Sequence, residues 1–97
     1  MSTATLVIRI QSRPGFAEQV RQRLLELSAP TRTHPHCLHF NLHRSLETEG
    51  LFMWYENWLN REALAEHLLR YPRQELIGEL EGMLEKVATT SLWERIR

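Results

Sequence analysis

Residues 4–12 alternate between apolar and polar, with Leu6, Ile8 and Ile10 on one side of a run rich in β-branched residues. That period of two predicts a first strand, and Pro14-Gly15 stops it. From residue 16 to about 29 the period changes. Phe16, Val20, Leu24 and Leu27 recur at helical spacing with Arg, Gln and Glu between them. Pro30 is expected to end this helix, because its ring removes a donor and disfavours helical backbone in the residue before it. Residues 31–36 read as a loop. Alternation returns over residues 37–47, with Leu38, Phe40 and Leu42 to one side and Cys37, His39, Asn41 and His43 to the other. A polar turn ending in Gly50 leads to an aromatic-rich strand over residues 51–58, close enough in sequence to pair with its predecessor as a hairpin. Asn60 suits the N-cap of a helix over residues 61–70, with Glu62 near its positive end. Pro72 fits the first turn of another helix reaching about Lys86, with Leu76, Leu80, Met83 and Leu84 as its stripe. Residues 87–96 close the chain as a fourth strand.

With the last helix taken as an extension of the one before, this order is the ferredoxin-like split βαβ arrangement. It is an α+β fold with a four-stranded antiparallel sheet and helices on one face. No stretch resembles a linker and no period repeats, so residues 1–97 are expected to form a single domain. The third strand has Phe52, Trp54 and Trp58 on one side and Leu51, Met53 and Tyr55 on the other. A sheet covered by helices on one side only should be polar on its free face. The apolar second face therefore predicts a homodimer formed through the sheets.

Composition narrows the function classes. The 97 residues are 42% apolar and 25% charged, as in an ordinary globular protein, and a chain of this length buries only about 60–65% of its unfolded surface. Twelve basic and twelve acidic residues leave no net charge, which argues against a nucleic-acid partner. Six basic and three acidic residues precede Glu49 and the remainder follow, too mild an asymmetry for a charged tail. The lone Cys37 excludes an intrachain disulfide and suits a reducing compartment. The apolar run near the start is too short for a signal peptide or a membrane span, so a cytoplasmic location is expected, with no membrane partner.

His67 is the first candidate for chemistry. It shares a helix face with Leu64, Leu68 and Tyr71, so an ionisable ring points toward the sheet, either as a general base near neutrality or as a structural histidine. Phe52, Trp54, Trp58, Tyr71 and Trp93 form an aromatic set, mostly core, in which Trp54 or Trp58 is the best candidate for a cavity wall. Glu56 falls between Trp54 and Trp58, where a carboxylate is partly desolvated. It is expected to pair with Arg44 on the neighbouring strand, with a second acid/base role as the alternative. His34, His36, Cys37, His39 and His43 are metal-ligand types, but side chains two apart on a strand stand roughly 6–7 Å apart, long for one tetrahedral ion. No CxxC or HExxH spacing accompanies them, so no metal is expected. Their strand face would instead line a hydrated pocket or the dimer seam. The scattered glycines build no phosphate loop and no Rossmann-type site.

Three longer stretches carry a family resemblance: Arg13-Pro14-Gly15, Thr31-Arg32-Thr33-His34-Pro35-His36-Cys37-Leu38, and Leu42-His43-Arg44-Ser45. With Phe52-Met53-Trp54-Tyr55-Glu56-Asn57-Trp58 and Glu62-Ala63-Leu64-Ala65-Glu66-His67-Leu68, the chain resembles the antibiotic biosynthesis monooxygenase-like family over nearly its whole length. The most specific part is Tyr-Glu-x-Trp followed by Ala-Leu-x-x-His. The resemblance implies a ferredoxin-like fold paired into a dimeric α+β barrel. It also implies oxidation of quinols or polyphenols by dioxygen without metal or flavin. His67 matches the family's helix histidine and Trp58 its aromatic position before that helix, while His36 replaces the glycine usual before Cys37. A haem-degrading branch uses an asparagine on the first strand, which is absent here, and another branch handles phosphorylated sugars. The expectation is a cytoplasmic, homodimeric, cofactor-free monooxygenase of a small aromatic. His67 would be its base, and Asn41, Trp54, Glu56, Trp58 and Tyr71 would line the pocket. The rival readings are a small-molecule binding protein or isomerase on the same barrel, and a purely structural dimer module.

Overall fold

The computed structural model describes residues 2–97. Four strands, β1 (Ala4–Gln11), β2 (Cys37–Arg44), β3 (Leu51–Trp58) and β4 (Thr89–Glu94), form one antiparallel sheet in the order β2-β3-β1-β4. Four helices, α1 (Ala17–Leu27), α2 (Ala29–Arg32), α3 (Arg61–Arg70) and α4 (Arg73–Gly78), complete the chain. This is the expected α+β ferredoxin-like arrangement. Leu6 stands opposite Glu56, and Ile8 stands opposite Trp54 on one side and Thr90 on the other. One face of the sheet therefore gathers Ala4, Leu6, Ile8 and Ile10 with Phe52, Trp54 and Trp58, and the helices seal it with Val20, Leu24, Leu64 and Leu76, joined by Leu80 just after α4.

The predicted elements hold where a local signal is strong. Strand β3 and helix α3 have the predicted bounds, and the Asn60 side chain accepts a hydrogen bond from the Ala63 amide at 2.8 Å, capping α3. Elsewhere the structure corrects the pattern. Helix α1 ends at Leu27 before Pro30 is reached, with the Ser28 hydroxyl turned back onto the Leu25 carbonyl at 2.7 Å. Pro30 instead sits in the first turn of α2, where a missing N–H leaves no intrahelical bond unmade, so part of the expected loop is helical. Helix α4 stops at Gly78 rather than near Lys86. Tight turns follow, closed by Leu80 N–H to Ile77 O, Glu81 N–H to Gly78 O and Met83 N–H to Leu80 O, and Gly82 adopts φ +87° to redirect the chain. Turns of three to four residues preserve the spacing that brought Leu76 and Leu80 into the core. The segment then docks on the end of β1 through Arg13 N–H to Met83 O and Glu85 N–H to Gln11 O.

Strand β2 holds the other correction. A bulge at Leu38 lets Cys37 pair with Trp58 and His39 with Asn57. One residue inserted into a strand flips every side chain before it to the other face. Cys37 therefore packs against the core with Phe40 and Leu42, apart from His39 and His43, while Leu38 is left exposed. The face of the sheet away from the helices carries Val7, Met53, Tyr55 and Trp93 among Arg9, His39, Asn41 and His43. Trp93 is 61% exposed there.

Candidate functional site

Alternation along β3 turns Trp54, Glu56 and Trp58 inward together, and all three are fully buried. The Glu56 carboxylate is held by four donors. Trp54 Nε1 donates to Oε2 at 2.5 Å and Trp58 Nε1 to Oε1 at 2.8 Å. Arg73, the first residue of α4, donates from Nε to Oε2 at 2.8 Å and from Nη2 to Oε1 at 2.7 Å. A buried carboxylate demands such compensation, and the planar guanidinium fork supplies it in two parallel bonds. Arg73 is itself 5% exposed. It donates from Nη1 to the Tyr71 carbonyl at 2.7 Å and from Nη2 to Thr31 Oγ1 at 3.3 Å.

Thr31 carries the network to His67: its Oγ1 lies 3.0 Å from His67 Nε2. The imidazole is 2% exposed, in the last turns of α3. Its ring lies between those of Trp58, at 4.5 Å centroid separation, and Tyr71, at 5.2 Å, with His34 edge-on at 5.4 Å. Burial lowers its pKa to about 4, helped by the positive charge of Arg73 and by His34. His67 is thus neutral around pH 7. Burial acts the opposite way on Cys37, pushing its thiol up to about 11, with the negative charge of Glu56 adding to the effect. Cys37 is no thiolate nucleophile at neutral pH.

Of the residues singled out in the sequence, Trp54, Glu56, Trp58, His67 and Tyr71 come together in this cluster. Asn41 does not: it stands opposite Tyr55 on the other face of the sheet, exposed. The expected Glu56–Arg44 pair is replaced by Glu56–Arg73. Antiparallel register sets Phe40 opposite Glu56 and Arg44 opposite Phe52, four residues or about 13 Å farther along the strand. Thr31 and Arg73 were missed. Arg73 had a legible signal, since it lies three residues before Leu76 and thus on the apolar side of its helix, where a buried cation needs a buried anion.

A cleft of about 260 Å³ opens between α1, α2 and α4, lined by Leu27, Pro30, Thr31, Tyr71, Arg73 and Leu76 among others. Trp54, Glu56, Trp58 and His67 do not line it; they lie behind Thr31 and Arg73. A second groove, of about 410 Å³, runs between α3 and β4 over Leu64, Leu68, Leu92 and Trp93. Among the described residues no three or more His, Cys, Asp or Glu side chains are grouped to hold a metal ion. No helix among them is long and apolar enough to cross a membrane.

The family model for antibiotic biosynthesis monooxygenases matches residues 3–70, more than two thirds of the chain. The protein belongs to the antibiotic biosynthesis monooxygenase family. No curated protein matches it in sequence. Among solved structures, PA3566 from Pseudomonas aeruginosa is 27% identical with a TM-score of 0.82, the match covering 100% of this chain and 97% of that one. Rv0793 from Mycobacterium tuberculosis superposes with a TM-score of 0.83 at 21% identity, covering 99% and 97%. A structure described as an antibiotic biosynthesis monooxygenase gives 0.80 at 22% identity, covering 97% and 99%. The last two likenesses are of fold. The matched region of this family member contains β1 to β3 and α3, and so Thr31, Glu56 and His67, while Arg73 and the cleft's α4 wall lie beyond it.

Proposed function

We propose that this family member is a cofactor-independent monooxygenase that oxidises a small aromatic, a quinol or polyphenol, with dioxygen. A neutral imidazole at His67, packed between aromatic rings and hydrogen-bonded to a residue of the adjacent cleft, carries the reading. Such a group is in the protonation state needed to accept a phenolic proton. The phenolate is electron-rich enough to reduce dioxygen directly. One oxygen atom is inserted into the ring and the other leaves as water, and all four electrons come from the substrate, as when a quinol becomes a hydroxyquinone. Tyr71 lines the cleft, Trp54 and Trp58 back it, and Glu56 holds Arg73 as its wall. Oxygen uptake by metal-stripped, colourless protein given a panel of quinols tests the reading. Uptake above autoxidation that is lost in His67→Ala is expected; no uptake across the panel moves the assignment to a binding protein or isomerase.

We also propose that residues 1–97 act as one cytoplasmic domain and pair through the open sheet face into a dimeric α+β barrel. The exposed Trp93 and Met53, with the half-buried Val7 and Tyr55 beside them, support this, and Asn41, His39 and His43 would then lie at the seam. A monomer in analytical ultracentrifugation at micromolar concentration would sink it.

A further inference from the structure

The proposed base does not reach the cleft by itself. His67 and Thr31 are each 2% exposed and Arg73 5%, but Thr31 and Arg73 belong to the lining of the cleft and His67 does not. The hydrogen-bond directions between these three residues follow from donor and acceptor counting. Arg73 is always a donor, so Thr31 Oγ1 accepts from Nη2. Among the described residues the hydrogen-bond acceptor for the Thr31 hydroxyl proton is His67 Nε2, at 3.0 Å. Thr31 therefore donates to Nε2, and the neutral ring carries its own proton on Nδ1. The lone pair that makes His67 a base is thus directed at Thr31.

We propose that Thr31 is a proton relay: a phenolic hydroxyl in the cleft gives its proton to Thr31 Oγ1 as the Thr31 proton passes to His67 Nε2. The inference rests on the monooxygenase reading and deepens it by naming the path. The step leaves a phenolate, an intact threonine hydroxyl and an imidazolium, with no other atom or electron moved. Arg73 is the positioning residue. Its Nη2 orients the Thr31 oxygen, and its charge, held in place by Glu56 behind it, faces the phenolate that forms. Around the imidazole stand Arg73 from α4, His34 from the loop before β2 and Tyr71 at the end of α3, with the Glu56 carboxylate beyond, bonded to Arg73 and to the Trp58 indole that packs on the ring.

The experiment compares the full chain with Thr31→Val, which keeps shape and removes the hydroxyl, and Thr31→Ser, which restores it. Long-range ¹⁵N NMR of the His67 ring is expected to show a protonated Nδ1 and an unprotonated Nε2 in the wild type near pH 7. A protonated Nε2 overturns the proposal. Catechol, as probe, is expected to shift the amide signals of Thr31 and Tyr71 and the His67 ring nitrogens, the latter response vanishing in Thr31→Val. Shifts confined to the α3–β4 groove overturn it. If the wild type oxidises quinols, Thr31→Val is expected to lose about 10²–10⁴-fold in turnover and Thr31→Ser to recover most of it; unchanged turnover in Thr31→Val refutes the relay. A wild type that takes up no oxygen refutes the monooxygenase reading alone, because the ring tautomer and the catechol response still decide the relay.

Discussion

Replacing Arg73 by methionine keeps most of the aliphatic stem and removes the whole guanidinium. Four hydrogen bonds go with it, two to Glu56, one to the Tyr71 carbonyl and one to Thr31. The larger effect is what remains. The Glu56 carboxylate stays fully buried, now held only by the indole N–H groups of Trp54 and Trp58. Stripping one partner from a buried ion pair is worth about 3–5 kcal/mol. For a domain near this size that lowers Tm by roughly 12–40 °C. Urea unfolding followed by tryptophan fluorescence reads the change, since both indoles touch the lost pair. The double variant Glu56→Gln/Arg73→Met removes both charges and keeps an acceptor beside the indoles, so the pair is expected to couple by about 2–3 kcal/mol. Loss of less than about 1 kcal/mol in Arg73→Met, a shift typical of the net worth of a single neutral hydrogen bond, refutes the assignment of a stabilising buried pair. Simple additivity in the double variant refutes it as well.

The depressed pKa of His67 makes stability depend on pH in one direction. The unfolded ring protonates near 6.5 and the folded one near 4, so its contribution is fully present above about pH 6.5 and is lost as the pH falls toward 4; the urea midpoint should drop more between pH 7.5 and 4.5 in the wild type than in His67→Gln. Asn60→Ala removes the side-chain N-cap of α3 and is expected to lower stability by about 1 kcal/mol, seen in the same unfolding assay. Gly50→Ala forces a side chain onto a φ of +78° with its Cβ against the Ser12 hydroxyl, so it should destabilise by more than the roughly 1 kcal/mol of the conformational penalty alone. Its thermal midpoint measures this.

Much of the site was legible locally. A period of two along β3 is enough to set Trp54, Glu56 and Trp58 on one face, because successive side chains in a strand alternate whatever lies beside them. A period of 3.6 is enough to turn His67 the same way as Leu64 and Leu68. The same alternation that sets Phe40 and Leu42 inward also sets Asn41 outward, away from the cluster. What local pattern could not supply was partnership. Glu56 on a buried face announces that a cation must meet it, yet Arg44 on the neighbouring strand was the expected partner and Arg73 is the actual one. Only the β2–β3 register and the packing of α4 over the sheet separate them. The bulge at Leu38 and the stop of α4 at Gly78 were equally hidden, since each depends on contacts with distant segments, Cys37 with Trp58 in one case and Met83 and Glu85 with the end of β1 in the other. Thr31 joins Arg73 to His67 across separations of 42 and 36 residues. Which faces the reactive groups occupy was readable residue by residue, because side-chain direction is a local property of the backbone. Which groups touch followed only from packing, because hydrogen-bond partners are chosen by distance in space.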